Sequence, residues 1–158
     1  MGSDIKNSGD FVHVGGSGDR VYDYIRLVVA ESKYLDSESE WRIIDNAVFQ
    51  LGMMPSDVRS YLLGAATLSR FSTESMIVRI LGDIARGMHA KSSKISRKQF
   101  KYLVETAIAL SQGELSAEKA EAIAKTVCNS TKLRHRRRWY SGSRRWYIRI
   151  PSTKDQVE

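Results

Sequence analysis

Cysteine and long apolar runs are scarce in this chain of 158 residues. Cys128 is the single cysteine, so no disulfide can form within the chain, and such usage is typical of proteins in a reducing compartment. No apolar run approaches the ~20 residues that a transmembrane helix needs. The amino terminus also lacks the basic and hydrophobic regions of a signal peptide. We therefore expect a cytoplasmic protein without a membrane span.

Histidine is also rare, which bears on metal and catalytic sites. His13, His89 and His135 are far apart, none has a ligand partner three or four residues on, and Cys128 has no CxxC companion. No Ser, His and Asp set and no paired carboxylates stand out. We therefore expect no metal site, no cofactor, no catalytic residues and no enzymatic activity. The alternative, a site assembled from residues distant in sequence, would be revealed by turnover of a metabolite.

Positive charge is concentrated near one end of the chain, in residues 132–150, KLRHRRRWYSGSRRWYIRI. This basic segment holds 8 of the 25 Lys and Arg residues and no Asp or Glu. Residues 1–131, by contrast, contain 16 basic and 16 acidic residues. The net charge of +7 therefore originates almost entirely in the basic segment.

The basic segment has the pattern of a β-hairpin. Gly142 and Ser143 suit a two-residue type II′ turn, because glycine takes the positive φ of its first central position without steric cost. That turn places Trp139 opposite Trp146. Alternation along the strands then predicts an inward apolar face and an outward face of guanidinium and phenol groups. The inward face comprises Leu133, Trp139, Trp146, Ile148 and Ile150.

The outward face predicts a binding site for a polyanion. Arginine offers forked donors that match phosphate, and tyrosine adds a flat surface for a base or sugar. The site residues expected are Arg134, Arg136, Arg138, Tyr140, Arg144, Arg145, Tyr147 and Arg149. Nucleic acid is the foremost ligand by this interpretation, and an acidic protein surface is the other. A solvated hairpin, in which arginine stacks on the aromatic rings without a ligand, is the alternative.

Apolar residues at three- and four-residue spacing predict a compact bundle of about six helices before the hairpin. We expect four segments: a flexible amino-terminal arm over residues 1–19, a helical domain over 20–131, the hairpin over 132–150 and a flexible tail over 151–158. The only strand expected outside the hairpin is an extended piece from Phe11 to Val14 within the arm. Ser37 with Glu40, and Ser96 with Gln99, have the spacing of capping boxes. The helices expected run from Arg20 to Lys33, Ser37 to Gly52, Pro55 to about Ala66, Ser72 or Thr73 to Met88, Ser96 to near Gly113, and Ser116 to Cys128.

A helix, a polar break and a capped helix recur in AESKYLDSESEW and in ALSQGELSAEKAEAI. This unit resembles the repeat of the TerB-like (tellurite-resistance TerB) family over residues 21–128 at most. The resemblance implies an all-helical fold with internal duplication, a link to stress responses and acidic metal-binding positions. The family's break reads Asp-Gly, whereas Ser32-Lys33 and Gln112-Gly113 stand here. The first acidic ligand is therefore missing in both copies, although Glu38, Glu40 and Glu118 lie nearby.

Two functions follow from these patterns. The first is a non-catalytic helical module whose basic hairpin binds nucleic acid or another polyanion. The second, which follows from the resemblance, is a TerB-like stress-response or assembly subunit whose hairpin docks on a partner protein. Salt-dependent binding favours the first, whereas a stoichiometric partner that survives nuclease treatment favours the second.

Overall fold

The computed structural model describes residues 16–30, 32–135 and 145–151. They form seven helices and four strands of two residues each, which confirms the mainly α class. The helices are α1 (Ser17–Val29), α2 (Ser37–Leu51), α3 (Pro55–Ser69), α4 (Glu74–Lys91), α5 (Arg97–Leu110), α6 (Ala117–Ser130) and α7 (Arg145–Arg149). The strands are β1 (Tyr34–Leu35), β2 (Ser72–Thr73), β3 (Lys94–Ile95) and β4 (Arg134–His135). None of the described helices is long and apolar enough to cross a membrane.

The arm and the tail expected at the chain ends fall mostly on residues 1–15 and 152–158, which lie outside the described residues. The helical domain begins earlier than expected, because α1 starts at Ser17 instead of Arg20. The first helix also ends earlier, since Val29 is its last residue and Tyr34 already belongs to β1.

The same order of elements occurs twice along the chain. In each unit a helix leads to a two-residue strand, then to a capped helix, a second helix and a strand that pairs in parallel with the first. Tyr34 pairs with Ser72 in the first unit, and Lys94 pairs with Arg134 in the second. Parallel pairing is possible because two intervening helices provide the long crossover that parallel strands require. The expectation that strand would be confined to the Phe11–Val14 piece and the carboxy-terminal hairpin is therefore wrong.

Local capping signals set where the helices begin. Ser96 and Gln99 form the predicted capping box, with the Ser96 hydroxyl accepting from the Gln99 main-chain N–H at 3.2 Å. Thr73 caps α4 and Ser116 caps α6. The capping box predicted for Ser37 is wrong by one residue. The N-cap of α2 is Asp36, an equally good cap, whose carboxylate accepts from the Ser39 N–H at 2.9 Å.

The apolar side chains form two cores. The N-terminal core is built by α1, α2 and α3 with Leu35 and Phe71, and the C-terminal core is built by α4 to α7 with Ile95 and Leu133. Each fully buried Leu or Ile side chain in these cores stabilises the fold by about 1.5–3 kcal/mol. The strand residues Leu35 and Ile95 thus point into the two cores from equivalent positions, immediately before a helix cap.

The predicted C-terminal hairpin is not found in the described residues. Arg145–Arg149, which was expected to be its second strand, is the short helix α7, and Arg134–His135 pairs with β3 instead. A helix suits this sequence because Trp146, Tyr147 and Ile150 all pack into the C-terminal core. Neighbouring residues such as Trp146 and Tyr147 would point to opposite faces of a strand, but they can share one side of a helix.

Candidate functional site

Exposed cations surround the second strand pair. Lys94 and Arg134 are register partners in the parallel ladder, and both side chains are exposed. Arg97 and Lys98 are also exposed, and both lie in the first turn of α5. That turn contains no acidic residue. We call these four residues the basic surface. None of the four forms an ion pair with a carboxylate among the described residues.

The electrostatics of the basic surface favour the binding of an anion. Like charges on directly opposed strand residues repel each other. Arg97 and Lys98 also occupy the helix end at which backbone N–H groups already create positive potential. Each of the other five long helices has Asp or Glu in its first turn, as α2 does with Glu38 and α3 with Asp57. The basic surface can therefore attract phosphate or carboxylate groups from solution.

The structure places four of the eight predicted site residues. Arg134 is exposed on β4, Arg149 is exposed on α7, and Arg145 is the first residue of α7. Tyr147, expected on the outward face, is only 8% exposed, so that prediction is wrong. The other four predicted site residues lie outside the described residues, namely Arg136, Arg138, Tyr140 and Arg144. Trp139, which was expected on the inward face, also lies outside them.

Tyr147 packs within the C-terminal core. Its ring packs edge-on against Phe100 at 5.6 Å between centroids, and its hydroxyl donates to the Asn129 side-chain oxygen at 3.2 Å. Burial raises the pKa of this phenol well above its usual range. Lys125 on α6 donates to the Ile150 carbonyl, which also ties α7 to α6.

Two other predictions about the inward face have different outcomes. Leu133 and Ile150 are buried and Trp146 packs against the same core, as expected. Ile148, by contrast, is 59% exposed, because the helical turn directs it away from the core that holds its neighbour Tyr147. The chain on each side of residues 136–144 is therefore anchored to the C-terminal core, by Leu133 before them and by Trp146 after them.

A polar network joins the two units where the helix starts of α2, α4 and α6 approach each other. The Lys119 ammonium lies 3.6 Å from an Asp36 carboxylate oxygen and 3.7 Å from a Glu74 oxygen. Glu74 also accepts a hydrogen bond of 2.8 Å from the Tyr34 hydroxyl. Burial, and then this bond to Glu74, raises the pKa of Tyr34. The network stabilises the junction by placing one cation between two carboxylates.

The polar breaks highlighted by the TerB-like resemblance have partners within the protein. The Ser32 hydroxyl donates to the Glu114 carboxylate, which also accepts from the Lys33 N–H at 2.7 Å. These two hydrogen bonds lower the pKa of Glu114. The Gln112 side chain donates to the Arg70 carbonyl.

Two of the acidic residues near these breaks also have partners within the protein, and Cys128 is buried. No group of three or more His, Cys, Asp or Glu residues there is arranged to hold a metal ion. Glu38 pairs with Arg42, and Glu40 bonds to Ser75. Burial raises the pKa of the Cys128 thiol to about 12, so the reactive thiolate is scarce at neutral pH.

The site residues predicted from the sequence did not include Lys94, Arg97 or Lys98. The sequence KISRK at residues 94–98 does indicate a cluster of positive charge, because three cations flank the buried Ile95 and the Ser96 cap. Their relation to Arg134 depends on the register of β3 with β4, which local patterns do not encode.

Comparisons of the chain with family models, curated proteins and solved structures gave no significant match. The TerB-like assignment therefore stays a prediction that depends on the two quoted segments.

Proposed function

We propose that this chain is a non-catalytic helical module that binds a polyanion, foremost nucleic acid. Its ligand contacts the basic surface, Arg149 and the arginine-rich residues 136–145. The observation that carries the proposal is the pairing of Lys94 with Arg134, two exposed cations at one ladder position without a carboxylate partner in the described ranges.

Phosphate groups would relieve this repulsion. Arginine binds phosphate through two parallel N–H donors, whereas lysine acts as a point charge. At the start of α5 the capping box uses the main-chain N–H groups of Ser96 and Gln99, so those of Arg97 and Lys98 would add to the attraction for an anion. Such interactions are independent of sequence, so we expect affinity that falls steeply with salt and depends little on base order.

Fluorescence anisotropy of a labelled 20-base-pair duplex at several salt concentrations tests the proposal. In the Lys94→Gln/Arg134→Gln double variant, the slope of log affinity against log salt should decrease in magnitude by about two units, since each phosphate neutralised by a cation contributes about one. The matched control is Arg42→Gln/Arg86→Gln, which removes the same charge from residues that already pair with Glu38 and Asp83. A parent that does not bind at low salt, or a double variant with the parent's slope, would refute the proposal.

A second candidate function is that of an assembly subunit, as the TerB-like resemblance implies. It is supported by large apolar side chains that are exposed on the first unit, namely Leu27, Phe49 and Leu68. Phe49 is 85% exposed, so a partner that covered its ring would gain buried apolar surface. Purification from cells with nuclease treatment distinguishes the two functions. A stoichiometric protein partner that remains bound supports assembly, whereas loss of all bound material with the nucleic acid contradicts it.

A further inference from the structure

A groove of about 330 Å³ lies between α2, α3 and α4, and no residue of the basic surface lines it. We call it the three-helix groove. Its walls are mainly apolar and include Trp41, Ile44, Leu62, Leu63 and Met76. The walls come from three helices, so the groove is built on regular secondary structure. Its volume lies at the lower end of the range for small-molecule sites, which is about 300–1,000 Å³.

Two arginines line the same groove and are available to a ligand. Arg59 and Arg79 are both exposed, and neither forms an ion pair with a carboxylate in the part of the chain that the structure describes. The guanidinium carbon of Arg59 lies 5.5 Å from the centroid of the Trp41 ring. This cation–π contact holds the guanidinium group beside the ring, where its N–H donors can reach a ligand in the groove.

The one carboxylate in the groove does not neutralise these arginines. Glu40 is only 9% exposed, and its two oxygens accept hydrogen bonds from Ser75, from the hydroxyl at 2.6 Å and from the main-chain N–H at 3.4 Å. Its bonds are thus directed into the protein towards the start of α4. The groove therefore combines an apolar body with two cations that have no internal partner among the described residues.

We infer that the three-helix groove binds a small amphiphilic anion, in which one carboxylate, sulfonate or phosphate group is attached to an apolar body. The anionic group contacts Arg59 and Arg79, and the apolar body lies against Trp41, Leu63 and Met76. A cationic or neutral amphiphile would leave both guanidinium groups unpaired, so the site selects for negative charge. This site is separate from the proposed polyanion site and does not depend on it.

Fluorescence titration with 1-anilinonaphthalene-8-sulfonate tests the inference, because this dye is an aromatic anion of the required class. The parent should bind it saturably with one site, and dodecanoate should displace it. The Arg59→Gln/Arg79→Gln variant should bind the dye about tenfold more weakly for each guanidinium group removed, as expected for hydrogen bonds to a charged group. N-phenyl-1-naphthylamine, which lacks the sulfonate, should bind parent and variant equally.

Matched leucine variants test the position of the site. Leu63 lines the groove and is 40% exposed, whereas Leu68 on the same helix is 76% exposed and does not line it. Leu63→Glu should abolish dye binding and Leu68→Glu should preserve it, with helical circular dichroism confirming that both variants fold. The Lys94→Gln/Arg134→Gln variant should bind the dye like the parent.

Two results of these titrations would contradict the inference. Equal dye binding by the parent and the arginine double variant would overturn the inference. So would a parent that binds neither the dye nor dodecanoate.

Discussion

The Glu40 carboxylate on α2 accepts a hydrogen bond of 2.6 Å from the Ser75 hydroxyl on α4. This bond joins the first unit to the second, because α2 belongs to the N-terminal core and most of α4 to the C-terminal core. A buried carboxylate is stable only where hydrogen bonds or counter-charges replace its hydration. Ser75 supplies two such donors to Glu40.

Removal of the Ser75 hydroxyl should destabilise the fold. We expect Ser75→Ala to lower the free energy of unfolding by about 2 kcal/mol, the usual contribution of a hydrogen bond to a charged group. Urea denaturation measures it. Ser60→Ala, an exposed serine within α3, is the matched control and should change stability by at most about 0.5 kcal/mol. Equal stability of Ser75→Ala and the parent would show that the bond has no net value.

The capping box of α5 gives a second stability prediction. Ser96→Ala should lower the free energy of unfolding by about 1 kcal/mol, because the Gln99 N–H at the helix start loses its acceptor. Gln99→Glu should keep the parent's stability, since a carboxylate can still accept from the Ser96 N–H. Thermal melting followed by circular dichroism distinguishes the two variants. An unchanged melting curve for Ser96→Ala would argue against the cap.

Trp146 attaches α7 to the C-terminal core. Its ring lies 5.2 Å from that of Phe100, and the side chain is partly buried. We expect Trp146→Ala to cost about 2 kcal/mol, less than the roughly 3 kcal/mol or more of a fully buried tryptophan. The control Ile148→Ala, at a position that is 59% exposed, should be nearly neutral. Guanidinium unfolding curves would contradict this packing if both variants behaved alike.

Asp36 should make stability depend on pH. Its pKa is lowered first by the hydrogen bond from the Ser39 N–H and also by the nearby Lys119 ammonium. A depressed pKa in the folded state means that the charge stabilises the fold above the ordinary aspartate pKa of about 4, and that this contribution is lost as the pH falls through the folded value. Asp36→Asn keeps a capping side chain and removes the charge. The parent should therefore be more stable than Asp36→Asn at pH 7, and the difference should disappear in acid. A difference that is independent of pH would exclude the charge as its cause.

Local signals predicted most of the helical architecture. Ser96 with Gln99, Pro55 at a helix start and Gly52 in the left-handed region at a helix end each act through neighbouring backbone groups, so a short window of sequence reveals them. The strands were missed because two residues are too few for an alternating pattern. Their pairing depends on the distant partners that the helices bring together.

The carboxy-terminal segment was predicted less well for a related reason. Arginine pairs and aromatic residues around Gly142 favoured a hairpin because only neighbouring residues were considered. In the structure the Trp146 and Tyr147 rings both contact Phe100, which places them on the same side of the chain, as in a helical turn. Arg134, which was predicted as a site residue, is exposed. Lys94 was not predicted, because only the pairing of β3 with β4 places it beside Arg134. Tertiary contacts therefore decided which of the predicted residues face the solvent.

The helix α4 packs against both cores and therefore couples the two units. α4 contributes Ile77, Leu81 and Ala85 to the C-terminal core, while Met76 on the same helix packs against the N-terminal core. A cut between α3 and α4 would expose apolar surface on both fragments at once. We therefore expect the two units to unfold together in one cooperative transition, although their topology repeats.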